Sequence, residues 1–263
     1  MLAQDMNNII NRSLQGLMGL AGVLVLVGCV TTSSGPVKNI DKDKALDTRI
    51  QLILSYIRQG NRDLARSSLS KAKAINAEDP RINNATALLY QLEGEPARAE
   101  EEFKKALRKD SDFAAAYNNY GVFLLSKERY EEALSQFQNA ADNLDYDRRD
   151  MALTNLAYTA QRLGMQDKAK ADFEQAIRLN PRSFSALVAL AEIEFEQRNY
   201  ANAKAYLNRA GRFNKPTAKA LWLGIRLERV FGNQDKEASL ALALKNLYPY
   251  SSEYLEYKRL LDE

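Results

Sequence analysis

The stretch that decides the fold runs from Tyr117 to Ala140, YNNYGVFLLSKERYEEALSQFQNA. Its second half holds a small residue, Ala133, then the bulky Phe137 four positions on, then a second small residue, Ala140, three further. Spacings of four and three put all three on one face of an α-helix. Outward from this stretch the same cassette returns as Ala65/Leu69/Ala72, Ala99/Phe103/Ala106, Ala169/Phe173/Ala176 and Ala203/Leu207/Ala210. The leading alanines are separated by 34, 34, 36 and 34 residues, a period that chance composition does not generate. A weaker sixth copy reads as Ala238 and Leu242, 35 residues after Ala203, with Lys245 in place of the last alanine. The chain is a tandem repeat.

Around each cassette the unit fits a helix–turn–helix. Gly121, Ala157 and Ala191 stand 12 residues before their cassette alanines, as small residues do where two helices approach closely. Gly60, Gly94 and Gly164 mark the turn between the helices. Leu179-Asn180-Pro181 stops the fourth second helix, since proline cannot continue it. Together these residues resemble the tetratricopeptide repeat. The unit carrying Tyr117, Tyr120, Gly121, Tyr130, Ala133, Phe137 and Ala140 matches best, and the first and last match least, as capping units do. The resemblance implies an all-α tetratricopeptide repeat solenoid of about six units in a right-handed superhelix, with units near 45–79, 80–113, 114–148, 149–182, 183–216 and 217–248. Residues 249–263 read as one more helix, with a serine able to cap it, that closes the open end.

The amino terminus is of a different kind. Leu17 to Val27 is an uncharged apolar run, preceded by Arg12 and followed by Gly28-Cys29, the shape of a bacterial secretion signal over residues 1–28. It is too short for a bilayer, which needs about 20 apolar residues. Met6 is a second candidate start and would remove Asp5 from the basic end of the signal. Leu26-Val27-Gly28-Cys29 resembles a lipobox, which implies that Cys29 is acylated and becomes the first residue of the mature protein. Two or more acyl chains hold stably at about 0.8 kcal/mol per buried CH₂. Residues 29–44 then form a polar linker containing Gly35-Pro36. Val30 follows the cysteine, where an aspartate would favour the inner membrane, so the resemblance implies the periplasmic face of the outer membrane.

Composition removes whole classes of chemistry. The chain has no histidine and a single cysteine, so the usual general base, the Ser-His-Asp triad and thiolate metal sites have no residues to stand on. No phosphate-binding loop or dinucleotide fingerprint is present. Glu131/Glu132 and Glu192/Glu194/Glu196 read as solvated helix faces rather than acid–base pairs. Net charge is +3, from 37 basic residues dispersed among 34 acidic ones, which is not the footprint of a nucleic-acid binder. The expectation is a non-enzyme with no cofactor, no metal, no nucleic acid and no small-molecule substrate. The 36-residue interval places two extra residues near Asp142 to Asp150, either a solvated loop or a partner contact through Tyr146, Arg148 and Arg149.

A solenoid of helix pairs binds along the concave face lined by its first helices. Counting back from the cassettes puts Ile50, Leu54 and Ile57 of unit one there, then Arg81, Asn84, Leu88 and Gln91. Units three and four supply Asn118, Asn119, Val122 and Leu125, then Thr154, Asn155, Tyr158, Gln161 and Arg162. With Leu52, Ile53 and Tyr56 assigned to the inter-helix core, the first helix is apolar almost all round. Ile50, Leu54 and Ile57 are either covered by the linker or exposed as a patch for a partner. The asparagines fit a second role, bonding neighbouring helix ends.

Lipobox, linker, six repeat units and the terminal Leu247-Tyr248-Pro249-Tyr250-Ser251-Ser252-Glu253-Tyr254 element together resemble the PilF/PilW family of type IV pilus biogenesis lipoproteins. That resemblance implies a pilotin: a protein that binds secretin subunits in the periplasm and promotes their outer-membrane localisation and multimerisation. A lipoprotein of the β-barrel assembly machinery and a scaffold for cell-wall enzymes share the same general features.

Overall fold

A computed structural model describes residues 41–212 and 214–262. Cys29, the signal and most of the linker lie outside the described residues. From Asp41 onward the chain is helical, with no strand among the described residues. The helices pair as α1 (Lys42–Arg58) with α2 (Arg62–Asn76), α3 (Pro80–Glu93) with α4 (Pro96–Lys109), and α5 (Ala114–Leu125) with α6 (Tyr130–Asp142). The order continues with α7 (Arg149–Arg162), α8 (Gln166–Leu179), α9 (Phe184–Glu196), α10 (Tyr200–Gly211), α11 (Ala218–Val230), α12 (Gln234–Leu247) and α13 (Ser252–Asp262).

Local chemistry sets the ends of these helices. Asp41, Asn61, Asp79 and Thr217 accept hydrogen bonds from backbone N–H groups of the first turns of α1, α2, α3 and α11. Pro80 and Pro96 open α3 and α4, where a missing N–H costs nothing. Between the two helices of a unit the backbone passes through the left-handed region, at Gly60, Gly94, Gly164 and Gly232 with φ near +70 to +79°. Units three and five make the same turn with Glu128 (φ +58°) and Arg198 (φ +61°), so the turn is kept even where glycine is not.

The cassettes form the seam of each pair. Phe103, Phe137 and Phe173 are fully buried, and so are both alanines of all five complete cassettes. Gly121 shows how tight the seam is: a Cβ there would lie 2.6 Å from the Phe137 ring. A continuous core runs from Ala87 to Ala220, flanked by a cluster of units one and two and another of unit six.

The sixth unit corrects the sequence reading. Ala238 is exposed and Leu242 is 58% exposed, whereas Ala241 and Leu244 are buried. The register is therefore Glu237/Ala241/Leu244, with Glu237 standing 34 residues after Ala203. A carboxylate, paired with Arg229 at 2.7 Å, replaces the first alanine. The bulky and small positions have exchanged residues.

Smaller side chains at the bulky position leave room. A cavity of about 470 Å³ opens between α10, α11 and α12, lined in part by Leu207, Leu221, Leu227 and Leu240. The final helix α13 packs on α11 and α12, with Tyr257 edge-on to Trp222 at 6.2 Å. Ser251 accepts from the Tyr254 backbone N–H and caps it.

The two extra residues fall in the α6–α7 connection, and most of this loop is structural. Tyr146 packs against the central core, and Arg149 Nε donates to the Ala141 carbonyl at 2.6 Å. Of the three residues considered for a partner contact, only Arg148 is exposed.

Candidate functional site

Apart from α7 and α9, successive first helices make several contacts with one another, and successive second helices do not. α1 contacts α3, α3 contacts α5, α5 contacts α7, α9 contacts α11 and α11 contacts α13, with no comparable contact between successive second helices among the described residues. The tighter spacing of first helices places them on the inner, concave wall, where a partner segment would lie.

Along that wall one position recurs in every unit, occupied by Ile50, Asn84, Asn118, Thr154, Val188 and Trp222. All six are less than 9% exposed, because this position is wedged between successive first helices. Ile50 is thereby removed from the list of exposed groove residues: it packs with Leu46 and Ile53 in the core of units one and two. Leu54 and Ile57 are half-buried against the same core, so the all-round apolar character of α1 serves the packing of α1 on α3 as well as on α2. Leu52 and Tyr56, assigned to the inter-helix core from sequence, are only half-buried.

One helical turn further, the wall is open in the middle. Val122 is 44% exposed, Leu88 is half-buried beside it in unit two, and Tyr158 follows in unit four. The Tyr158 ring meets Phe173 edge-on at 4.9 Å, and its hydroxyl donates to the Ser185 carbonyl at 3.0 Å. Burial, reinforced by the nearby Glu192 carboxylate, pushes this phenol up to about 12, so it stays a neutral donor. Arg162 is exposed at the end of α7.

The asparagines do not bond helix ends. Asn119 Nδ2 donates to Asn84 Oδ1 at 3.1 Å, and Asn155 Nδ2 donates to Asn118 Oδ1 at 3.0 Å. Each pair bridges the first helices of successive units.

At both ends the wall carries charge that sequence reading underestimated. Near its start Arg81 gathers three carboxylates: Asp79, at 2.7–2.8 Å, Asp43 at 3.0 Å, and Asp47. The guanidinium holds the Asp79 carboxyl below its usual range. At the far end Lys219 Nζ lies 2.6 Å from Glu192, whose carboxyl burial raises despite that partner. Arg226 stacks over Phe195 at 4.2 Å and reaches Trp222 at 5.9 Å. The repeat period extends to Glu192, Phe195, Trp222 and Arg226, but the sequence count along the groove ended with unit four. Among the described residues no three acidic or thiol groups converge as a metal site.

Two tetratricopeptide repeat family models match residues 112–182 and 154–219. The type IV pilus assembly protein PilF of Pseudomonas aeruginosa is 37% identical over 235 residues, covering 89% of this chain and 93% of that protein. The solved structure of Pseudomonas aeruginosa PilF superposes with a TM-score of 0.77 at 37% identity, covering 83% of this chain and 98% of its own. The crystal structure of PilW, described as a widely conserved type IV pilus biogenesis factor, shares the fold with a TM-score of 0.67 at 24% identity, covering 81% of this chain and 98% of its own. Identity sustained over nearly the full length of both proteins goes beyond the shared repeat, and this chain belongs to the PilF family of type IV pilus assembly proteins.

Proposed function

We propose that this protein is a lipid-anchored periplasmic scaffold, held by acylated Cys29 at the periplasmic face of the outer membrane. It binds subunits of the type IV pilus secretin along its concave wall and promotes their localisation and multimerisation in that membrane. The observation that carries this reading is the near full-length relation to PilF, which favours pilus assembly over β-barrel insertion or cell-wall scaffolding. The concave wall supports it further. Its centre exposes Val122 beside Leu88, and its charged groups at either end are largely engaged with one another, an arrangement suited to docking and not to catalysis. Leu54, Ile57, Asn119, Asn155, Tyr158 and Arg162 flank this centre, and Ile50 belongs to the buried core of units one and two.

The test is the state of the secretin in cells. Loss of the protein should leave secretin monomers in place of heat-stable outer-membrane multimers, and the wild-type gene should restore them. Cys29→Ala should yield a folded, soluble periplasmic protein that restores outer-membrane multimers poorly. Normal secretin multimers in the absence of the protein would overturn the proposal.

A further inference from the structure

The cavity between α10, α11 and α12 follows α11 from Ala220 to Glu228, about 12 Å of helix, and its walls change character along that length. Phe184, Pro216, Ala220 and Leu221 line one end, and in the middle Gly224 faces Leu207 and Leu240. The charged residues of the lining, Lys204, Glu228 and Lys236, stand at the other end. There the Glu228 carboxylate is already satisfied, with Lys204 Nζ at 2.9 Å and Asn233 Nδ2 donating at 2.6 Å. Lys236 is exposed at the rim and has no ion pair among the described residues. Two lysines against one carboxylate leave a positive charge at this mouth.

We propose that this cavity binds an amphiphile with a single acyl chain and an anionic head, the chain lying along α11 towards Phe184 and the head beside Lys236. Secretin docking is not involved, since none of the inner-wall residues named above lines the cavity. Its volume of about 470 Å³ is roughly three times the ~150 Å³ in which an apolar protein cavity holds one benzene, so on the order of 15 carbons fit. Walls of leucine, phenylalanine and proline favour hydrocarbon over water. One protein side chain, entering from the rim, is too short to reach the far end. A cationic head would meet Lys204 and Lys236 as like charges, whereas a carboxylate or phosphate gives Lys236 the partner it lacks.

The probes are laurate and dodecyltrimethylammonium, which share a chain length and differ in the sign of the head. Each is titrated below its micelle concentration into the purified full chain carrying Cys29→Ala, which holds no acyl chain of its own, and binding is read by calorimetry. Laurate should bind saturably at one site, about tenfold more tightly than the cation. In the same background Leu207→Phe, which places a ring in the cavity, should weaken laurate about tenfold. Lys236→Glu, at the exposed rim, should leave the melting temperature unchanged and remove the preference for laurate over the cation. That variant decides the matter even where Leu207→Phe loses stability. A separate titration with lauroyl lysophosphatidylglycerol distinguishes the source: tighter binding than laurate assigns a membrane phospholipid and weaker binding a free fatty acid, each in support. Equal affinity for laurate and the cation, or laurate binding unchanged in both variants, overturns the proposal. Binding of neither laurate nor the lysophospholipid overturns it too and leaves the cavity to a side chain of a protein partner.

Discussion

The third and sixth units are built on one plan and packed differently. In the third, Phe137 lies so close to Gly121 that no Cβ fits between them, and both cassette alanines are fully buried. In the sixth, Ala241 takes the phenylalanine position, Leu244 the last alanine position and Glu237 the first, with a cavity of about 470 Å³ at the junction with unit five. The middle of the solenoid therefore has its seam closed by shape, while Val122 on its inner wall stays exposed. The end relies on α13, Trp222 and Tyr257 for closure.

Breaking the middle should have the largest effect. Phe137→Ala removes a fully buried ring and is expected to destabilise by about 3–5 kcal/mol, visible as a lower midpoint in urea. Leu207→Ala, at the equivalent position of unit five but half-buried beside the cavity, should cost clearly less. Equal losses would mean that the two seams do not differ.

Next comes the register of unit six. Leu244→Ala should cost about 2–5 kcal/mol, while Leu242→Ala, 58% exposed, should stay within about 0.5 kcal/mol. Thermal melts of the two variants check this, and the reverse order would restore the register read from sequence.

That register shows where sequence reading ends. Five cassettes were legible because alanine and phenylalanine recur where helices must meet, and their burial follows the reading almost residue by residue. In unit six the exchange of large and small residues hid the true positions, while Ala238 and Leu242, one place along, imitated the pattern. The groove residues were legible as positions but not as exposures. Ile50 lies on the inner wall as counted, yet the approach of α1 to α3 buries it, and no periodicity within α1 encodes that approach. The asparagine pairs join residues 35 and 37 apart in sequence, a relation that only the stacking of units creates.

A smaller change should sharpen the comparison from the other side. Leu207→Phe places at the fifth unit the ring that units two to four carry, and should stabilise by about 0.5–2 kcal/mol by filling part of the cavity. A rise in melting temperature checks it, and a fall would show that the cavity walls cannot accept the ring.

The smallest effect concerns charge at the junction of units two and three. Arg129, reaching Glu100 at 2.8 Å, holds that carboxyl at about 2, with Lys104 and Tyr120 assisting. A carboxyl lowered in the folded state contributes stability that is complete above its unfolded value near 4.5 and is lost as pH falls towards 2. Glu100→Gln should thus be less stable than wild type at pH 7, by on the order of 1 kcal/mol or less given partial exposure, with the difference closing below pH 4.5. Melts across that range check the sign, and a difference that persists unchanged to pH 2 would assign the effect elsewhere.

Whether the secretin docks on the open inner wall of the middle units is tested most directly by site-specific photo-crosslinking in cells. A photoreactive phenylalanine replaces Val122 on the inner wall or, separately, Leu242 on the sixth unit, both exposed. A secretin adduct from position 122 and none from position 242 is the expected result; an adduct from 242 with none from 122 would contradict docking on the inner wall.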